Sequence, residues 1–207
     1  MNKISIIDYG LCNLYNVSNA LDYLKVKVEI IEKPEDVTNA THLILPGVGA
    51  FKNGMRGLKI RNLIEPIKEH IDKDKPFLGI CLGMQMMLSK SYEFGEISGL
   101  DIIDGEVVKI PQINNTGEAH KIPHIGWNKI IYKEDKLMNG QNNKSSMYFV
   151  HSYKAECKNE ESVLAHTLYN DVKITAIIKS KNAYGCQFHP EKSGNYGLRL
   201  LNEFIKL

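Results

Sequence analysis

An apolar run from Phe77 to Ile80 meets a helical pattern from Leu82 to Leu88 across Gly79-Ile80-Cys81-Leu82-Gly83. A cysteine between two glycines at such a junction has the sequence form of a nucleophile elbow, with Cys in place of Ser. A turn that tight strains its central residue and needs small neighbours, which Gly79 and Gly83 provide. It also needs a sheet edge to sit on, so strand and helix should alternate around it. They do. Ile4 to Asp8 reads as strand, Asn13 to Leu24 as a helix with apolar positions at Leu14, Val17, Leu21 and Leu24, and Lys27 to Ile31 as strand. His42 to Leu45 is the next strand, and Leu63 to Ile71 has helical spacing before Pro76. Such alternation predicts a parallel sheet with helices on both faces.

The middle of the chain changes character. Gly105 to Ile110, Lys129 to Tyr132, Met147 to Tyr153, Val163 to Leu168, Ile174 to Lys179 and Ala183 to Phe188 read as strands without intervening helices. A closing helix from Gly197 to Ile205 returns the chain to the sheet. No repeat or linker divides the sequence, and 207 residues suit one domain over 1–207. A net charge of +2 offers no basic stripe, which argues against a nucleic-acid partner. No apolar run approaches membrane-spanning length. Strand-like residues directly after Lys3 leave no room for a signal peptide. The cysteines at 12, 81, 157 and 186 show neither paired metal spacing nor a disulfide framework, so a reduced, cytoplasmic protein is expected.

Two distant segments bear on the elbow. Gln187-Phe188-His189-Pro190-Glu191 ends an apolar strand with a histidine and a carboxylate two apart, on the same side of an extended segment. A nucleophilic cysteine needs a base, and the base needs an orienting carboxylate. Alone, Cys81 also reads as a buried structural thiol and His-Pro-Glu as an exposed loop; together they read as a triad. After the short strand Leu43-Ile44-Leu45, Pro46-Gly47-Val48-Gly49 allows a peptide plane to turn over. That suits an oxyanion hole, and equally a plain strand-to-helix turn. The methionines at 84, 86 and 87, with Leu88, read as core.

These segments resemble the class I, triad-type glutamine amidotransferases. Asp8-Tyr9-Gly10 with Asn13-Leu14, Pro123-His124-Ile125-Gly126-Trp127-Asn128, Tyr148-Phe149-Val150-His151-Ser152-Tyr153 and Glu191-Lys192-Ser193-Gly194 are similar to the glutaminase subunits of imidazole glycerol phosphate synthase. The resemblance runs from residue 3 to the end. It implies an α/β, flavodoxin-like fold: a central, mostly parallel sheet with helices on both faces, plus antiparallel strands from the middle of the chain. It implies glutamine as substrate, Cys81 as nucleophile, His189 as proton carrier and Glu191 as its orienting group, with no cofactor and no metal. Oxyanion donors would come from Val48, with Gly49 beside it, and from Leu82. Gln85, Glu93, His151, Ser152 and Tyr153 would contact glutamine; by local pattern alone, Gln85 and Glu93 also suit a solvated surface. Tyr148 and Lys192 would face a cyclase or synthase subunit in a heterodimer. Trp127 reads as an interface anchor or as core. Two features depart from the pattern: Cys12 stands where the family usually has glycine, and residues 112–121 form a longer, more polar stretch, expected to be a loop.

Three functions are in play. One is ammonia supply to a cyclase making imidazole glycerol phosphate and an aminoimidazole carboxamide ribotide. A second is the same chemistry feeding a paralogous sugar- or nucleotide-amidating enzyme. A third is a catalytically silent regulatory module, which the intact Cys81, His189 and Glu191 oppose.

Overall fold

Strands and helices alternate from Ile4 to Cys81 in the computed structural model, which describes residues 3–142 and 144–207. The order is β1 (Ile4–Ile7), α1 (Leu14–Tyr23), β2 (Val28–Ile31), α2 (Pro34–Asn39), β3 (His42–Gly47), α3 (Phe51–Ile60), α4 (Ile64–Asp72) and β4 (Phe77–Cys81). A short α5 (Leu82–Met86) leads into β5 (Leu88–Ser91), β6 (Ile97–Ser98), β7 (Ile103–Lys109), β8 (His124–Lys129) and β9 (Ile131–Tyr132). Then come β10 (Ser146–His151), β11 (Tyr153–Cys157), β12 (Val163–Tyr169), β13 (Val172–Ser180), β14 (Ala183–Cys186) and α6 (Gly194–Ile205).

The main sheet has the order β2-β1-β3-β4-β14-β13-β12-β9. Its first five strands are parallel, in the 2-1-3-4-5 arrangement of flavodoxin-like folds, and the last three add on antiparallel. Helices cover both faces, so every residue of β1, β3, β4 and β14 is buried and those strands read as unbroken apolar runs. Phe51, Met55, Leu58, Ile67 and Ile71 from α3 and α4 fill one layer. Val17, Leu21, Leu200, Leu201 and Phe204 from α1 and α6 fill the other. Beside this core lie a second sheet, β11-β7-β5-β6, and the ribbon β10-β8. Among the described residues, no helix is long and apolar enough to cross a membrane.

Four expectations need correction. The helix expected over Leu82–Leu88 stops at Met86, because Leu88–Ser91 pairs with β7 and β6 instead. The strand expected over Met147–Tyr153 is two strands broken at Ser152: β10 pairs with β8, and β11 crosses to β7. Lys129–Tyr132 likewise divides between β8 and β9. His189 and Glu191 do not share an extended segment; β14 ends at Cys186, and Pro190–Lys192 is a 3-10 turn. Residues 112–121 are a loop as expected, closed by a bridge between Ile113 and Ala119.

Candidate active site

Adjacency of β3, β4 and β14 brings the three suspected segments to one sheet edge. Gly47 pairs with Cys81, and Ile80 lies between Pro46 on one side and Cys186 on the other. Cys81 is the residue where β4 turns into α5, at φ 54° and ψ −107°, a conformation a side chain rarely adopts. The flanking glycines are required by contact. A Cβ on Gly83 would lie 1.8 Å from the Leu45 carbonyl oxygen, and one on Gly79 would lie 2.7 Å from the Gly83 backbone.

Beyond β14, the 3-10 turn sets His189 beside Glu191, with Nδ1 2.7 Å from Oε1 and both side chains buried. Burial opposes a charge on His189. Hydrogen bonding to Cys81 and to Glu191 outweighs it and pushes the imidazole pKa up to about 10, so the site favours an imidazolium facing the thiol. A base oriented by a buried carboxylate and set against a sulfur is the arrangement nucleophilic amide cleavage requires.

A cavity of about 670 Å³ opens at this edge. Its walls include Val48, Gly49, Cys81, Leu82, Gln85, Glu93, His151, Ser152, Tyr153 and His189, so every expected oxyanion and substrate residue reaches it. Glu191 stands behind His189, away from the cavity wall. Gln85 is fixed rather than solvated: its Nε2 donates to the Tyr153 carbonyl (3.1 Å) and to Gln187 Oε1 (3.0 Å). Glu93 Oε2 accepts the Phe51 N–H at 2.6 Å, holding the start of α3 against the pocket. His151 Nδ1 donates to the Tyr153 carbonyl at 2.7 Å, leaving Nε2 3.0 Å from His124 Nδ1. His124 is stacked between Phe149 and Tyr169, and its far nitrogen meets the Asn128 side-chain amide at 2.9 Å.

Of the two expected oxyanion donors, Leu82 heads α5 next to Cys81, whereas the Val48 N–H donates to the Leu11 carbonyl at 3.1 Å and is not offered to the site. Gly49, at φ 91°, supplies the freedom for that peptide to turn.

Trp127 is 57% exposed, which removes the core reading. It is the cross-strand partner of Tyr148 on the β8-β10 ribbon, ring centroids 5.9 Å apart, and Lys192 is exposed on the turn carrying Glu191. Cys12 is half-buried, its Sγ 3.5 Å from the Ile7 carbonyl, and it packs against the edge of the core. All four cysteines are free thiols. Cys186 is fully buried, and burial raises its pKa well above the usual thiol value.

Three polar residues at or beside the cavity escaped the sequence reading. Lys109 and Gln112 line the cavity, and nothing in their local sequence marks them. Gln187 is wholly buried with Nε2 3.7 Å from Cys81 Sγ. Its place in the Gln-Phe-His-Pro-Glu run was the available signal.

The model of the class-I glutamine amidotransferase family matches residues 5–207. The chain belongs to that family, and its activity is that of a glutaminase. At closer range it is similar to the imidazole glycerol phosphate synthase subunit HisH 1 of Legionella pneumophila (strain Paris), 49% identical over 213 residues with both chains covered in full. It is similar also to the HisH subunit of Lactococcus lactis subsp. lactis, 45% identical over 100% of this chain and 99% of that one. Among solved structures, PurLQS from Thermotoga maritima matches with a TM-score of 0.72 at 15% identity, covering 99% of this chain and 98% of that one. A glutamine amidotransferase from the same organism matches with a TM-score of 0.63 at 15% identity, covering 99% and 81%. Those two likenesses speak for the fold.

Proposed function

We propose that this chain is the glutaminase subunit of an imidazole glycerol phosphate synthase, working in the cytoplasm and passing ammonia to a cyclase subunit in histidine biosynthesis. The observation that carries the chemistry is the convergence of Cys81, on its strained turn, with the His189–Glu191 pair at the wall of one cavity. The relatives that match along their whole length support the pathway.

In this reading the Cys81 thiolate attacks the side-chain amide carbon of glutamine. The tetrahedral intermediate collapses as His189 gives its proton to the leaving nitrogen, which departs as ammonia and leaves a γ-glutamyl thioester. His189, now neutral, takes a proton from water; the hydroxide attacks the thioester, glutamate leaves and the thiolate is restored. Glu191 keeps the imidazole oriented and stabilises its charged form without taking the proton itself.

The intermediate's oxygen needs donors. With Val48 N–H tied to Leu11, Leu82 N–H stands without its companion, and loss of one such donor typically costs about 3–4 kcal/mol, roughly a hundred- to a thousandfold in rate. The isolated chain is therefore expected to be slow until a partner turns the Val48 peptide. A partner and its acceptor must favour the turned state by several kcal/mol more than the resting one. Trp127, Tyr148 and Lys192 form the face proposed for that partner. The test is glutamine turnover by the chain alone, with the cyclase subunit, and with cyclase plus its acceptor nucleotide. A stepwise rise is expected; equal rates in all three overturn the gating, and no turnover in any overturns the function.

A further inference from the structure

Three amides and a sulfur form an unbroken chain behind the pocket. It starts at the Tyr153 backbone carbonyl, an acceptor that cannot change its role. The Gln85 atom 3.1 Å from it must be Nε2, the donor end. The same nitrogen lies 3.0 Å from a side-chain atom of Gln187, which must then be its oxygen, Oε1. The other end of Gln187, Nε2, is thereby turned toward Cys81 Sγ, 3.7 Å away. One fixed carbonyl thus decides both amide orientations, and it leaves the nucleophile facing an N–H rather than a second lone pair.

Burial makes that orientation count. Gln187 has no exposed surface, so water does not compete for its amide, and Gln85 is only 7% exposed. Gln187 is also anchored by its backbone, whose N–H donates to the Ala176 carbonyl at 2.9 Å. A hydrogen bond to an ionised group in such a setting is about twice as strong as one to a neutral group. A sulfur holding negative charge gains more from the Gln187 N–H than a neutral thiol does.

We propose that Gln187 is a positioning residue of the glutaminase reaction, donating to Cys81 Sγ to hold it as a thiolate aimed at the cavity, with its donor end set by Tyr153 through Gln85. This rests on the reading of Cys81 as nucleophile. Tyr153 belongs to the strand wall expected to contact glutamine, so the chain ties the state of that wall to the state of the sulfur. His189 supplies the proton traffic from one side; Gln187, which has no proton to transfer, holds the sulfur from another.

The test is the pH dependence of Cys81 alkylation by iodoacetamide, read at the Cys81 peptide by mass spectrometry, in the wild type, Gln187→Met and Gln187→Glu. Loss of the donor in Gln187→Met should move the profile about one unit to higher pH, a loss of about tenfold in rate on the acid side of its midpoint. Gln187→Glu, nearly the same shape and the working variant where the Met change fails to fold, should move it further, because a carboxylate then faces the sulfur. Glutamine kcat should fall with the alkylation rate in both while KM changes little. Folded variants with unmoved profiles would show that Gln187 only packs, and would overturn the proposal while leaving Cys81 as nucleophile. If Cys81→Ala retained full glutaminase activity, the reading beneath it would fall as well.

Discussion

Two buried histidines line the same cavity, and their surroundings push their protonation in opposite directions. His189 faces a thiol and a carboxylate, and its pKa is pushed up to about 10 despite burial. His151, on the β10-β11 wall, faces a backbone carbonyl and a second imidazole, and burial pushes its pKa down to about 3. Both rings are similarly hidden, so burial alone does not set protonation; the ionisable partner does. One wall favours a protonated imidazole, as the role proposed for His189 needs. The other is built to stay neutral and hold a strand in place.

The largest expected effect breaks the charged wall. Cys81→Ala should abolish glutamine hydrolysis, and His189→Ala should be nearly as damaging, each roughly a millionfold where groups act as one unit. Ammonia-dependent synthesis by the partner should survive both, which separates lost chemistry from lost assembly. Next is Glu191→Gln, expected to be about one to two orders of magnitude milder because Glu191 orients without forming bonds. The carboxylate raises the His189 pKa, so removing it should let His189 lose its proton at lower pH. The alkaline limb of the rate profile should therefore move toward neutrality; an unmoved limb would remove Glu191 from the triad.

On the neutral wall, His151→Asn should act through the Tyr153 carbonyl. KM for glutamine should rise about tenfold, the size of one lost hydrogen bond of this kind, with a smaller change in kcat. A kcat effect matching His189→Ala would mean the two walls are not distinct. The smallest effect is on stability. His151 and His70, the latter lowered to about 4 chiefly by burial, remain neutral in the fold while the unfolded chain binds protons near pH 6.5. Between those values the unfolded state holds more protons. Stability present above pH 6.5 should be lost as pH falls toward 4, and His70→Asn should flatten the decline in a Tm-against-pH series.

How much of this was legible depended on where the apolar atoms point. The strands from Ile4, His42 and Phe77 are buried on both faces and read directly as apolar runs. α3 was hidden because Gly54 and Gly57 occupy two of its inward positions, where Met86 packs close and the Tyr9 backbone leaves no room for a side chain at Gly57. β8 was hidden for the opposite reason. Its inward residue is His124, while Ile125 and Trp127 point outward, inverting the usual alternation. That inversion is what leaves an aromatic pair on the face proposed for the partner. At the site, Cys81, His189 and Glu191 stood out in the sequence because each side chain carries a distinctive chemistry by residue type. Gln187 did not, since an amide has no distinctive role until Gln85, 102 residues away, fixes which end faces the sulfur.

The central claim is that Cys81 is the nucleophile that attacks glutamine's amide carbon. It is tested most directly by treating the protein with a glutamine-analogue electrophile and mapping the adduct by mass spectrometry. Cys81 should be labelled and protected by glutamine, while Cys12, Cys157 and the buried Cys186 stay unmodified. An adduct on any other residue, or full labelling of Cys81→Ala, would contradict the account.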